Sequence, residues 1–197
     1  MSFKKIKVIS VLVSSLVIIS SCNTFNTRSN VSERNAPNIK PNIIYIMADD
    51  LTTQAISAYG GIYKDIAPTP QIDKIAQEGM LFQDVLCTNS ICGPSRAAIL
   101  TGNYSNLNGY YKNESGGKFN ASQWTFPIEF QKNGYKTSLF GKWHLGTEPI
   151  GFNTFKYHNS SGQQGHYWNP TFNENGKDVK EAGYATNLTT DFALKWL

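Results

Sequence analysis

NIIYIMADDL, residues 42–51, sets an apolar run from Ile43 to Met47 almost directly before two aspartates, Asp49 and Asp50. A short continuous apolar run reads as a strand buried on both faces, the kind found in parallel sheets. It predicts a strand that delivers two carboxylates to its C-terminal end, where open α/β sheets build their sites. Adjacent carboxylates repel each other unless a cation holds them, and hard cations such as Ca²⁺ or Mg²⁺ take oxygen ligands of this kind. From these residues alone, an Asp that caps the next helix beside a solvated neighbour explains the pair equally well.

The segments that follow alternate between helix and strand patterns. TPQIDKIAQEGM places Ile72, Ile75 and Ala76 on one helical face and stops at Gly79. LFQDVLC, residues 81–87, predicts a second strand. PSRAAILTG has Pro94 in a first helical turn and Gly102 where a C-cap belongs. TFPIEFQKNGY predicts a short helix ending at Gly134, and KTSLF, residues 136–140, a third strand. This alternation implies an α/β fold, a mostly parallel sheet sandwiched by helices. From Gly151 to Gly183 the chain is rich in Gly, Asn and aromatics, periodicity fails, and a surface-wrapping segment near a site is expected. TNLTTDFALKWL resumes a helical period and stops without a Gly, Asn or Pro signal, as a chain cut inside a helix would.

The N-terminus reads as a targeting segment. Lys4, Lys5 and Lys7 precede an unbroken run of aliphatic residues and serines from Val8 to Ser20, which fits a signal peptide. The run is shorter than the roughly 20 apolar residues a membrane span needs. IISSC, ending at Cys22, resembles the lipobox of bacterial lipoproteins, cleaved before the cysteine. That likeness implies a signal peptide over 1–21, lipid on Cys22, and a tether over 22–37 rich in Asn, Ser, Thr and Pro. The expected location is an exported bacterial lipoprotein, periplasmic, outer-membrane or cell-surface, that meets the membrane through lipid alone. A plain secretory signal with a chance cysteine is the alternative. Six N-x-S/T sequons, Asn113 among them, carry little weight in an Asn-rich chain. Without the three leader lysines, 15 basic residues stand against 14 acidic ones, and no basic stripe marks a nucleic-acid partner. Cys87 and Cys92 remain, too few for a disulfide framework, although they could pair with each other.

Two further motifs carry candidate chemistry. In GKWHLG, Lys142 and His144 lie two apart after a predicted strand. If the backbone is still extended, they share one face while Trp143 and Leu145 take the other. A cation and an imidazole on one face suit an anionic oxygen; from this motif alone, an exposed Lys and a His satisfied in the core explain the pair at least as well. In NSICGPSRAAILTG, residues 89–102, Cys92 opens a helix and faces its unpaired N–H groups, with Arg96 one turn along the same face. Thiolate catalysis with His144 as base fits this arrangement; structural zinc does not, for want of a C-x-x-C.

Cys92-Gly93-Pro94-Ser95-Arg96 followed by AAILTG resembles the C-x-P-x-R signature of the formylglycine-dependent sulfatases, of alkaline-phosphatase-like fold. NIIYIMADD is similar to that family's metal-binding first strand and GKWHLG to its second signature, in the family's order. The resemblance covers residues 38–197 and implies the N-terminal portion of a sulfatase catalytic domain, incomplete in this chain. It implies that a maturation enzyme oxidises Cys92 to formylglycine, whose hydrate attacks the sulfur of a sulfate ester and then expels sulfate by collapse of its second hydroxyl. Asp49 and Asp50, with an oxygen on residue 92, would hold one divalent ion, by analogy Ca²⁺. Arg96 would hold the diol, Lys142 would contact sulfate, and His144 would act as the base of collapse. Pro94 and Ser95 would serve recognition by the maturation enzyme and the helix start.

The resemblance also marks what is absent. Asn103 stands where the family often has Arg, and the later Asp-Asn or Asp-His pair and the later His and Lys are not assignable here. Two carboxylates and one diol oxygen fall short of the six to eight oxygens Ca²⁺ takes, so residues 1–197 alone are expected to be inactive and poorly folded. NASQWTFPIEFQKNGYKT and SSGQQGHYWNPTFNENGK resemble the subset acting on sulfated N-acetylglucosamine of glycosaminoglycans or mucins. That implies a sulfated-glycan substrate, with Tyr167 and Trp168 lining a sugar site and His166 on a hydroxyl. A phosphatase or phosphodiesterase of the same superfamily and an inactive glycan-binding lipoprotein are the competing readings.

Overall fold

The protein is described by a computed structural model over residues 40–113, 118–160 and 162–197. The expected signal peptide (1–21), lipid-bearing Cys22 and tether (22–37) lie outside the described residues. Residues 40–47 belong to a first unit and have no regular secondary structure, and Ile43 to Ile46 are more than half exposed. The strand expected there is therefore not formed, and neither is the one over residues 81–87, where Val85 and Leu86 are exposed. An apolar run becomes a strand only through a neighbour's ladder of hydrogen bonds, and among the described residues nothing supplies one for either run.

The second unit, Ala48–Leu197, holds the ordered elements. Two 3₁₀ turns, Thr53–Ala55 and Ser57–Tyr59, lead to helix α1 (Pro70–Glu78). Ser57 and Thr69 exchange bonds between backbone N–H and side-chain oxygen, and Ala58 N–H donates to Asp73 Oδ1, so the helix start is tied to the preceding turn. Pro70 sits in the first turn and Gly79 ends the helix, as the sequence predicts. Its apolar face is not covered, for Ile72 and Ile75 are exposed. Helix α2 (Cys92–Thr101) has Pro94 in its first turn and ends at Gly102 in the left-handed conformation (φ 64°), where a Cβ would be strained. The short α3 (Ser105–Asn108) and then α4 (Phe126–Lys132) follow.

The sheet runs β1 (Ser138–Gly141), β2 (Thr154–His158), β3 (Thr171–Glu174) and β4 (Lys177–Lys180) in that order. β1 and β2 are parallel, while β2–β3 and β3–β4 are antiparallel. The described sheet is thus mixed. The segment from Gly151 to Gly183, expected to be irregular, supplies three of its four strands. The signal was present in TFNENGKDVK, two short runs around Asn175-Gly176. Both residues of that pair have positive φ, 48° and 89°, as a two-residue hairpin turn requires. Helix α5 (Ala185–Trp196) returns onto β1 and spans the expected helical segment.

The core joins α2 to the loop after β1: Ala97, Leu100, Tyr110, Phe119, Trp143, Leu145 and Tyr157 are buried against one another. A second nucleus centres on Phe172, fully buried, which stacks on His158 at 4.7 Å and meets Phe192 edge-on at 5.2 Å. Lys156 lies over the Phe192 ring at 3.9 Å and binds Glu181 and Glu174 at 2.6 and 3.0 Å, so its buried ammonium is compensated. Replacing Phe172 with Ala removes the ring against which α5, β2 and β3 meet. A loss of about 3–5 kcal/mol is expected, read by chemical denaturation; an unchanged midpoint would show that this nucleus does not hold the sheet.

Candidate active site

Cys92, Arg96, Lys142, His144 and Asp49 come from three segments that the fold brings together. Arg96 is the connector. It reaches from α2 with a side chain only 11% exposed, donates from Nη1 to the Lys142 carbonyl at 2.7 Å, and donates from Nη2 to Asp49 Oδ1 at 2.9 Å. Lys142 Nζ donates to the other Asp49 oxygen at 2.6 Å. Burial opposes ionisation of Asp49, but the hydrogen bonds and charges of Lys142 and Arg96 outweigh it and hold the carboxyl below its usual range.

The backbone after β1 departs from the expected extended form. His144 adopts a left-handed conformation, φ 56°, which is uncommon for a residue with a side chain. The facial split nevertheless survives, since Trp143 and Leu145 enter the core while Lys142 and His144 turn to the polar cluster. His144 is 8% exposed and its Nδ1 is buried without a hydrogen-bond partner. Burial, reinforced by the Lys142 and Arg96 charges and opposed by Asp49, lowers its proton affinity, so the imidazole is neutral at pH 7.

Cys92 occupies the first turn of α2, and both Cys87 and Cys92 are free, so the alternative disulfide is not formed. Asn113 spans the helix start: its Oδ1 accepts from Gly93 N–H at 3.1 Å and its Nδ2 donates to Cys92 Sγ at 3.4 Å. Tyr110 lies close enough that burial and then the Cys92 charge tighten its hold on its proton. Sequence reasoning missed Asn113, whose only mark is a sequon, and His158. His158 is 9% exposed with an unpartnered Nδ1, and burial followed by the Lys142 and Arg96 charges lowers its proton affinity. Its signal was faint, the last residue of a strand that periodicity did not reveal.

Two expected site residues stand apart. Asp50 is exposed at φ 55°, beside Asp49 in the same turn but outside the Arg96–Lys142 network. His166 is exposed next to Tyr167 and Trp168, which both contact Tyr184, and it joins no hydrogen bond of the cluster. Among the described residues no three His, Cys, Asp or Glu side chains group as a metal site. The all-oxygen pair Asp49–Asp50 fits a hard divalent ion in ligand type, and supplies two of the six to eight oxygens such an ion takes. Arg96 Nε, His144 Nδ1 and His158 Nδ1 are buried polar atoms lacking partners, and the charges of Lys142 and Arg96 act on both imidazoles. That is an environment for an anion.

The sulfatase family model matches residues 41–197. An N-acetylglucosamine-6-O-sulfatase of Bacteroides thetaiotaomicron is 47% identical over 158 residues, covering 80% of this chain and 27% of that protein. Human arylsulfatase H is 39% identical over 131 residues, covering 61% of this chain and 23% of that protein. The solved structure of BT4656 in complex with its substrate D-glucosamine-2-N,6-O-disulfate matches with a TM-score of 0.76 at 46% identity, over 80% of this chain and 31% of that one. The chain therefore spans less than a third of the length of each of these relatives. The α/β fold class expected from the strand–helix alternation is that of these structures, present here in part, and the chain belongs to the sulfatase family.

Proposed function

We propose that this chain is the N-terminal portion of a sulfatase that hydrolyses sulfate esters of glycans, N-acetylglucosamine 6-sulfate being the favoured unit. The observation that carries the reading is the placement of Cys92, inside Cys-Gly-Pro-Ser-Arg, beside a cluster of Arg96, Lys142 and Asp49 with a neutral imidazole at its edge. Substrate class rests on two relatives, one an N-acetylglucosamine-6-O-sulfatase and one bound to a disulfated glucosamine. Export as a lipoprotein through Cys22, and conversion of Cys92 by a formylglycine-generating enzyme, belong to the same proposal.

A formylglycine at position 92, once hydrated, supplies an oxygen nucleophile toward sulfur. A divalent ion, Ca²⁺ by analogy, would be held by Asp49 and Asp50 and would supply positive charge against sulfate oxygens. The chain's own residues do the rest. Arg96 fixes Asp49 and the Lys142 backbone, so the carboxylate and the loop keep one geometry. Asn113 orients the heteroatom on residue 92 through Nδ2–H. Lys142 places an ammonium where sulfate charge is met. His144, neutral and desolvated, accepts a proton at its ring nitrogen. The core side chains Trp143 and Leu145 on the far face keep that loop from yielding.

Three outcomes test this reading. In the full-length protein from its host, the peptide containing Cys92 is expected to carry an aldehyde or its hydrate, and Cys92→Ala to lower turnover by more than about 10³-fold. An intact thiol in an active enzyme would exclude the mechanism. Desulfation of N-acetylglucosamine 6-sulfate is expected to exceed that of galactose sulfates; the reverse order would refute the substrate. Because His144 acts when unprotonated and its pKa is lowered, activity should persist as pH falls to 6.5 and fail only below it. A kcat/KM profile whose acid limb is centred above 6.5 would contradict His144 as the base.

A further inference from the structure

The left-handed backbone at His144 needs something to hold it, because the residue carries a side chain and stands in a loop, not in a helix or strand. One side of the loop is fastened by the core. Phe119 N–H donates to the Leu145 carbonyl at 2.9 Å and Trp143 Nε1–H donates to the Thr147 carbonyl at 2.6 Å. The other side is fastened by one distant residue. Gln163 Oε1 accepts from both Leu145 N–H, at 3.1 Å, and Gly146 N–H, at 2.8 Å, while its Nε2 donates to the Thr147 carbonyl at 3.2 Å. Only this amide orientation works, since the reverse would set an NH₂ group against two N–H donors.

We infer that Gln163 is a positioning residue for the reaction, a three-point clamp that fixes the loop immediately after His144 and so sets where the imidazole stands. This inference rests on the sulfatase reading for its kinetic consequence, but not for the clamp itself. Gln163 is itself placed with unusual care. It has φ 69°, and the turn that bears it closes with Gly165 N–H on the Ser160 carbonyl at 3.0 Å. Gly165, at φ 91°, lies flat on His158, where a Cβ would come within 2.5 Å of the ring. His158 in turn stacks on the fully buried Phe172. The clamp is thus anchored through a ring-on-ring contact to the sheet. A single acceptor shared by two successive amides leaves both donors unpaired when it is lost, and the strained residue just before them loses its support.

The test uses the full-length, matured protein with Gln163→Met and Gln163→Glu, which have similar length and place the same demand on the left-handed backbone. Met has no acceptor oxygen; Glu keeps one. Gln163→Met should lower kcat by roughly 10- to 100-fold with KM changed less than about threefold, and amide exchange in the peptide spanning residues 142–148 should quicken. Gln163→Glu, which keeps the acceptor for both amides but not the donation to the Thr147 carbonyl, should recover part of kcat and of the exchange protection. Wild-type kcat in Gln163→Met would overturn the inference, as would equal impairment of both variants or a fall in kcat with exchange over 142–148 unchanged. If the wild-type protein releases no sulfate at all, the function proposed above fails, and the exchange comparison still decides whether the clamp exists.

Discussion

The two hydrogen bonds of Arg96 close the site. Its guanidinium joins residues 46 and 47 positions away in opposite directions along the chain, a carbonyl in the loop after β1 and a carboxylate in the turn at Asp49. Bringing such distant segments together costs loop-closure entropy that no local preference repays. A planar donor with fixed geometry repays it by serving two acceptors at once, which an ammonium on a flexible stem does less well. Asp49 is about a third exposed, so the ion pair itself is partly screened. The stronger constraint is the bond to the Lys142 carbonyl, made by a side chain largely withdrawn from water. Lys142 then follows, because its backbone is fixed by Arg96 and its ammonium by the same carboxylate.

The loop after β1 does two jobs with alternate residues. Trp143 and Leu145 belong to the core that also holds α2, and Lys142 and His144 belong to the polar cluster. Because neighbours in sequence are committed to opposite sides, the loop cannot relax toward either without cost. This is why an imidazole can be kept in a left-handed conformation and away from water, with its proton affinity depressed. The clamp by Gln163 and the seat of Gly165 on His158 extend the same logic to the sheet. Rigidity at the site is drawn from the packing of Phe172 as much as from the ionic groups.

Some of this was legible in the residues. Pro94 and Gly102 bounded α2, Pro70 and Gly79 bounded α1, and the motifs around Asp49, Cys92 and Lys142 named most of the cluster. The strands fared worse. The apolar runs at 43–47 and 81–87 carry the composition of buried strands yet find no ladder among the described residues. The Asn175-Gly176 hairpin has only weak hydrophobic alternation around it, so its strands carry little periodic signal. Strand identity depends on a partner that sequence does not name, whereas a helix satisfies its own backbone and announces its ends.

The sequence by itself determined which chemistry is available. Cys92 before Gly-Pro-Ser-Arg, paired aspartates after an apolar run, and a Lys and His two apart are statements about residue type and spacing. Such statements survive whatever the chain does elsewhere. Only the tertiary structure decided that Asp49 is shared by Arg96 and Lys142, that Asn113 reaches Cys92, and that Gln163 and His158 support the loop. Those contacts join residues with no common motif, and each exists because packing brings distant segments within hydrogen-bond reach. The reason is physical: periodicity and capping report local preferences, while the positions of unpaired donors and acceptors are set by what the rest of the fold leaves unsatisfied.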